Sequence, residues 1–341
     1  MLESKLPELL KIEQLIEKFG DKARTEVITR VQTAGHSLPV YAISIGPNDP
    51  TTPVLGIVGG VHGLERVGSH LSIAYMNTIS RLLEWDSVFH LMFEKIRLVF
   101  VPLLNPGGMY NRTRSNPNGV DLMRNAPVEA EQEHFLKLVS GHRISPKIPW
   151  YRGALDAPME QEAVALCNFV QKEFFRSEFA MTIDLHSGFG ARDRLWFPYA
   201  RSASPFPKMT EIYALSKLFR KAYPNHIYLI EPQSHSYTTH GDLWDYLFDL
   251  NSAQQDPALF LPLCLEMGAW NWIKKNPIQM ATSLGVFNPI KPHRERRTRR
   301  RHLPLLDFLL RATYSHKNWA WPVTGEFNHF QNKAIDLWYK K

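Results

Sequence analysis

The chain has 341 residues, 44% of them hydrophobic and 21% charged, with a formal net charge of +7. These proportions describe a folded globular protein and exclude a disordered or membrane one. No run approaches the roughly 20 apolar residues that a membrane-spanning helix needs, and two cysteines, Cys167 and Cys264, are too few for a disulfide framework.

Residues 1–20 carry charges through their apolar stretch and lack a small-residue cleavage site. They read as an amphipathic helix over about residues 2–19, with Leu6, Leu9, Leu10 and Ile12 at helical spacing, rather than as a signal peptide. Together with the scarcity of cysteine, this gives the expectation of a cytoplasmic protein. Two β-like runs, 27–35 and 37–46, meet around Gly35, His36 and Ser37 and predict a hairpin. TPVLGIVGG predicts a buried strand, residues 67–85 a helix, and IRLVFVPLL another buried strand. Residues 126–150 read as irregular, with Pro127, Pro146 and Pro149 bracketing a short polar helix.

Residues 158–175 predict a strong helix with Val164, Cys167, Phe169 and Val170 on its apolar positions. AMTIDL, HIYLI and PLCLEM read as further strands, with a helix over 211–223 between the first two. Strands alternating with helices predict a single α/β domain over residues 1–341: a mixed, mostly parallel twisted sheet with helices on both faces. In the segment 291–301, Lys291, Arg294, Arg296, Arg297, Arg299, Arg300 and Arg301 stand against Glu295 alone, so most of the net charge is local. No aromatic residues are interleaved with this block and no nucleic-acid-binding motif accompanies it. It reads as a solvated segment leading into LPLLDFLLRA rather than as a contact for nucleic acid or lipid.

Chemistry concentrates at the ends of the predicted strands. In GGVHGLER, His62 and Glu65 lie three residues apart just after one strand, and His186 closes another. Imidazole nitrogens and a carboxylate oxygen suit zinc, and three protein ligands with a fourth position left to water characterise catalytic zinc. Glu266 lies in the apolar run LFLPLCLEMGAW. A carboxylate there needs a partner or a raised pKa, as a general base or in a buried ion pair with an arginine. His62, Asn105, His186 and Glu266 all fall at carboxyl ends of strands, where open α/β sheets place their sites. Asp184 points to the same side of its strand as His186.

The order of these blocks resembles the zinc carboxypeptidase family, the carboxypeptidase A-like metallopeptidases, from about residue 50 to about residue 270, as a divergent, bacterial-type cytoplasmic member. His62 and Glu65 match the HxxE block. Asn105-Pro106-Gly107 opens a second block that ends in Gly119-Val120-Asp121-Leu122-Met123-Arg124-Asn125. His186-Ser187 and Leu265-Glu266 match the third-ligand and catalytic-glutamate blocks.

The resemblance implies one zinc ion per chain, held by His62, Glu65 and His186, with Glu266 as the base. It implies that Asp121 holds the free nitrogen of His62 and that Arg114, with Arg112 as the nearest alternative, polarises the scissile carbonyl. Arg124 would bind a terminal carboxylate, and Tyr237 would close over substrate from a mobile loop. His240 and Trp244 are further candidates for the specificity pocket. One residue departs from the pattern: Met123 stands where the family commonly has asparagine, and it cannot give an amide hydrogen bond.

The expected function is therefore a zinc-dependent hydrolase that cleaves an amide next to a free carboxylate, first a metallocarboxypeptidase. An amidase or deacylase on cell-wall-type peptides or N-acyl amino acids comes second. A non-catalytic protein that docks through the arginine block comes last. The expected substrate is a peptide or acyl amino acid with a free carboxylate.

Overall fold

A run of four parallel strands forms the centre of the computed structural model, which describes residues 2–131, 137–321 and 324–340. The strands are β1 (Arg24–Thr33), β2 (His36–Ile45), β3 (Val54–Gly59), β4 (Arg97–Val101), β5 (Phe179–Ser187), β6 (Arg194–Phe197), β7 (Leu229–Pro232) and β8 (Leu259–Met267). They make one sheet in the order β1-β2-β4-β3-β5-β8-β6-β7. β4, β3, β5 and β8 run parallel. The β1–β2 hairpin joins β4 antiparallel, and β6 joins β8 antiparallel with β7 parallel beside it. This is the expected mixed, mostly parallel α/β sheet.

Every residue of β3, β4 and β5 is buried, which requires cover on both faces. The helix Arg66–Trp85 supplies part of it, burying Val67, Leu71, Tyr75, Met76, Ile79 and Leu83 at spacings of three and four. It packs with the helix Pro292–Tyr314 over β3 and β5. The helix Gln161–Phe174 lies against β1 and against the helix Leu243–Ser252, which also covers β8.

The amphipathic N-terminus forms helices Leu2–Lys5 and Pro7–Phe19, and the basic segment opens the helix Pro292–Tyr314. Within 126–150 the short helix is Lys137–Ser140; residues 132–136 of that stretch lie outside the described residues. Three features depart from expectation. β6 is an additional strand, the strand read at HIYLI begins only at Leu229, and a helix that was not predicted opens at Leu243. Among the described residues no helix is long and apolar enough to cross a membrane.

Candidate metal centre and active-site cleft

β3 ends at Gly59, and the chain turns through His62 to Glu65, which stands at the N-terminus of the helix Arg66–Trp85. Backbone contact holds this turn in place. A Cβ on Gly63 would lie 2.1 Å from the carbonyl carbon of Gly108, so only glycine lets the two segments approach. Asn105 braces the same turn: its Nδ2 donates to the Val61 carbonyl at 3.2 Å, while its Oδ1 accepts from Gly108 N at 2.7 Å. β5 and β8 deliver His186 and Glu266 as direct register partners.

His62, Glu65 and His186 are all buried, and one donor atom from each falls within 4.8 Å of the other two. His62 Nδ1 lies 2.9 Å from Glu65 Oε1, and His186 Nδ1 lies 3.2 Å from both His62 Nδ1 and Glu65 Oε2. Donors at about 2.0–2.1 Å around a tetrahedral zinc would be roughly 3.3 Å apart, so this N,N,O set fits zinc.

A carboxylate stands behind each imidazole. Asp121 Oδ1 is 3.0 Å from His62 Nε2, so a ring proton on Nε2 would meet an acceptor and leave Nδ1 free for a metal. Asp184 Oδ2 is 2.8 Å from His186 Nε2, and it also accepts from Trp244 Nε1 at 2.9 Å. Burial would raise Asp121, but Arg114 and His62 outweigh it and hold the carboxyl well below its ordinary range. Glu65 is likewise held low: burial opposes ionisation, while His62, His186 and Arg114 favour it more strongly. Arg114 bridges the group, with Nε 2.9 Å from Asp121 Oδ2 and Nη1 2.8 Å from Glu65 Oε1. Arg112 is exposed, has a left-handed backbone and lies outside the cleft.

His62, Glu65, Arg114 and His186 line one cleft of about 330 Å³, shared with Glu266, Met123, Arg124, Phe189, Trp196, Tyr237, Asp242 and Cys264. Glu266 Oε1 accepts from Phe189 N at 2.8 Å. Burial, with the Glu65 carboxylate adding repulsion, pushes Glu266 up to about 8 against the pull of His186, the Phe189 N–H and Arg114. No arginine forms a buried ion pair with Glu266 among the described residues.

Arg124 is buried, with Nε donating to the Val139 carbonyl at 3.0 Å. Met123 precedes it in a turn that Asp121 caps through Met123 N at 3.1 Å. Tyr237 packs on Phe189 and Trp196 at ring separations of 5.4 and 6.1 Å, and burial pushes its phenol up to about 12. The loop carrying Tyr237 returns over Arg124 at Gly241, where φ is +68° and a Cβ would stand only 1.9 Å from the Arg124 carbonyl oxygen, so the position demands glycine.

Two candidates fall elsewhere. Trp244 is committed to Asp184, and His240 faces Glu129 at 2.7 Å; neither lines the cleft. Sequence reasoning did not single out Trp196, Asp242 or Cys264. The i, i+2 spacing of Cys264 and Glu266 could have revealed Cys264.

Fold and site together define a carboxypeptidase-type α/β protein. The family model for zinc carboxypeptidase matches residues 12–260, and the chain belongs to that family. Carboxypeptidase SOL1 of Arabidopsis thaliana is 34% identical over 110 residues, 30% of this chain but only 22% of that relative's length. The fold is similar to thrombin activatable fibrinolysis inhibitor, with a TM-score of 0.66 at 16% identity, covering 89% of this chain and 72% of that one. It is also similar to carboxypeptidase A from Helicoverpa armigera, with a TM-score of 0.57 at 16% identity, covering 76% and 62% respectively.

Proposed function

We propose that this protein is a zinc-dependent hydrolase of amide bonds adjacent to a free carboxylate, in first place a metallocarboxypeptidase. The observation that carries this reading is the common cleft: three convergent buried donors, a register-paired Glu266 and two arginines line one cavity. His62, Glu65 and His186 would hold one zinc ion per chain. When bound, that ion supplies Lewis-acid chemistry and makes water acidic near neutral pH.

The chain's own groups do the rest. Glu266 takes a proton from the attacking water and delivers it to the leaving nitrogen. Its Phe189 N–H contact fixes one oxygen and leaves the other for this exchange. Arg114 stabilises negative charge that develops on the carbonyl oxygen, and loss of one such donor costs on the order of 3–4 kcal/mol. Arg124 anchors the substrate's carboxylate, and Tyr237 closes the cleft from its loop.

Met123 favours a second reading within the same chemistry. A thioether beside Arg124 offers no amide to a terminal carboxylate, which suits an amidase or deacylase on cell-wall-type peptides or N-acyl amino acids.

The test is hydrolysis of a panel of free and blocked peptides and N-acyl amino acids by the wild-type protein and by Glu266→Gln. Wild type should cleave free-carboxylate members, and the variant should keep its zinc while losing most turnover. Near-wild-type rates in Glu266→Gln would move the base elsewhere. No hydrolysis of any panel member by zinc-loaded wild type would defeat the enzymatic reading.

A further inference from the structure

A second concavity, of about 710 Å³, runs between the helices Pro7–Phe19, Arg66–Trp85 and Pro292–Tyr314, and shares no lining residue with the cleft. The helix Arg66–Trp85 packs against both others and supplies the floor, with Ile73, Ala74, Asn77 and Thr78. Helical spacing builds the walls. Lys11 and Lys18 stand two turns apart on one, while Arg296, Arg299 and Arg300 occupy the other. A single imidazole ties the three helices together: His70 Nε2 is 2.7 Å from Glu8 Oε1 and His70 Nδ1 is 3.0 Å from Glu295 Oε1.

Counter-charge is scarce in this groove. Lys18 meets Glu84 at 3.2 Å, and Arg299 lies 3.9 Å from Glu295, which His70 already engages. The side chains of Arg296 and Arg300 make no hydrogen bond or ion pair among the described residues. The segment's other cations differ. Arg294 donates to the carbonyls of Trp272 and Lys275, and Arg301 pairs with Asp193 at 3.1 Å. The solvated arginine block thus divides into residues that brace the fold and residues aimed at the groove.

Cations on two walls of one concavity raise its potential and concentrate anions there. We infer that this groove binds a polyphosphate, a chain of phosphate groups whose oxygens engage both walls at once. Arginine forks suit phosphate oxygens, and lysines add point charges. Asn77 offers a neutral donor on the floor, while Leu15, Ile73 and Leu303 leave apolar surface beside the charges. The recessed shape favours a small ligand over a membrane or a nucleic-acid strand.

Calorimetric titration of the full chain with inorganic tripolyphosphate and with ATP tests this, at about 100 mM salt so that charges more than about 10 Å away are screened. Saturable binding of one ligand per chain is expected. Arg296→Gln with Arg300→Gln, and Lys11→Gln with Lys18→Gln, should each weaken it about tenfold or more, the usual cost of a charged hydrogen-bond partner. Arg297→Gln, on the same helix but outside the groove, should stay within about twofold of wild type. All variants are surface changes, and unchanged thermal melting verifies their fold. Tighter binding of ATP would identify a nucleotide as the source of the phosphates, and equal binding the free phosphate chain. The inference is overturned by no binding of either probe, by wall variants that retain affinity or by an equal loss in Arg297→Gln. It is also overturned by binding confined to phosphatidylserine vesicles or single-stranded RNA.

Discussion

His186 and Glu266 are opposite one another on the parallel strands β5 and β8. One presents a donor nitrogen to the cluster with His62 and Glu65, and the other presents a carboxylate to the same cleft. Ladder hydrogen bonds thus set the spacing between the third proposed ligand and the proposed base, with no loop in between. A substitution at either position tests one function while the sheet holds the other in place.

The first prediction concerns the metal. His186→Ala should lose most bound zinc, measured by elemental analysis of purified protein against one equivalent in wild type. Asp184→Asn should keep the fold but weaken zinc by about 10–100-fold, the usual effect of removing a carboxylate behind a histidine ligand. Trp244→Phe, which removes the indole donor to Asp184 together with some buried ring volume, should weaken zinc less. Stoichiometric zinc in His186→Ala would show that the three donors do not form the site.

A second prediction concerns pH. Burial alone would lower His70, but hydrogen bonds with Glu295 and Glu8 outweigh it and raise the imidazole above its usual value. Glu8 is held low: burial opposes ionisation, and His70 with Arg66 overcomes it. His70 also holds Glu295 low. A raised histidine contributes stability that is complete below its unfolded pKa and disappears as pH rises through its folded pKa. The two lowered carboxylates contribute above their unfolded pKa values and lose that contribution on acidification. Wild type should therefore lose stability as pH rises above the ordinary histidine value of about 6.5 more steeply than His70→Gln, measured by urea midpoints. Parallel slopes would show that the three-helix clip carries no net linkage.

Much of this site was legible because its residues fall at strand ends, where position follows from apolar runs. His62 follows the run ending at Gly60, and Glu266 ends another, so topology brought them together. Asp184 was half legible: alternation put it beside His186, but its indole partner comes from a helix that was not predicted. That helix had a signal, since Asp242 accepts from Trp244 N and Asp245 N as an N-cap and Leu243, Trp244, Leu247 and Phe248 follow at helical spacing. Gly241 and the polar residues before it masked the signal. β6 is only four residues long, too short for alternation to declare itself. The arginine block hid its division because a run of like charge does not reveal which members meet an acid.

That division gives a third prediction. Arg299→Gln with Arg300→Gln should leave turnover on a small substrate within about threefold, since neither residue reaches the cleft. Arg301→Gln should differ, because Asp193 accepts from Arg301 and also from Gly268 N at 2.9 Å, two residues beyond Glu266. Its removal should cost about 1 kcal/mol of stability, measured by chemical unfolding, because Asp193 is buried while Arg301 is partly exposed. Loss of turnover in the folded Arg299/Arg300 variant would tie those residues to the chemistry.

The last prediction turns on Met123, whose side chain shares the cleft with Arg124. If substrate is held by its terminal carboxylate, Arg124 supplies the charged contact and position 123 supplies none. A hydrogen bond to a charged group contributes about 1.5–3 kcal/mol, so Met123→Asn should tighten free-carboxylate peptides by about tenfold or more. Carboxyl-blocked peptides should hardly change. Arg124→Ala should do the reverse, harming free-carboxylate substrates far more than blocked ones. The Asp121 cap on Met123 N uses the backbone and survives the asparagine substitution, so the turn that presents Arg124 stays in place. The comparison is a KM and kcat/KM series on matched free and blocked substrates. If both variants treat the two series alike, the terminal carboxylate is not the recognised group, and the amidase reading displaces the carboxypeptidase one.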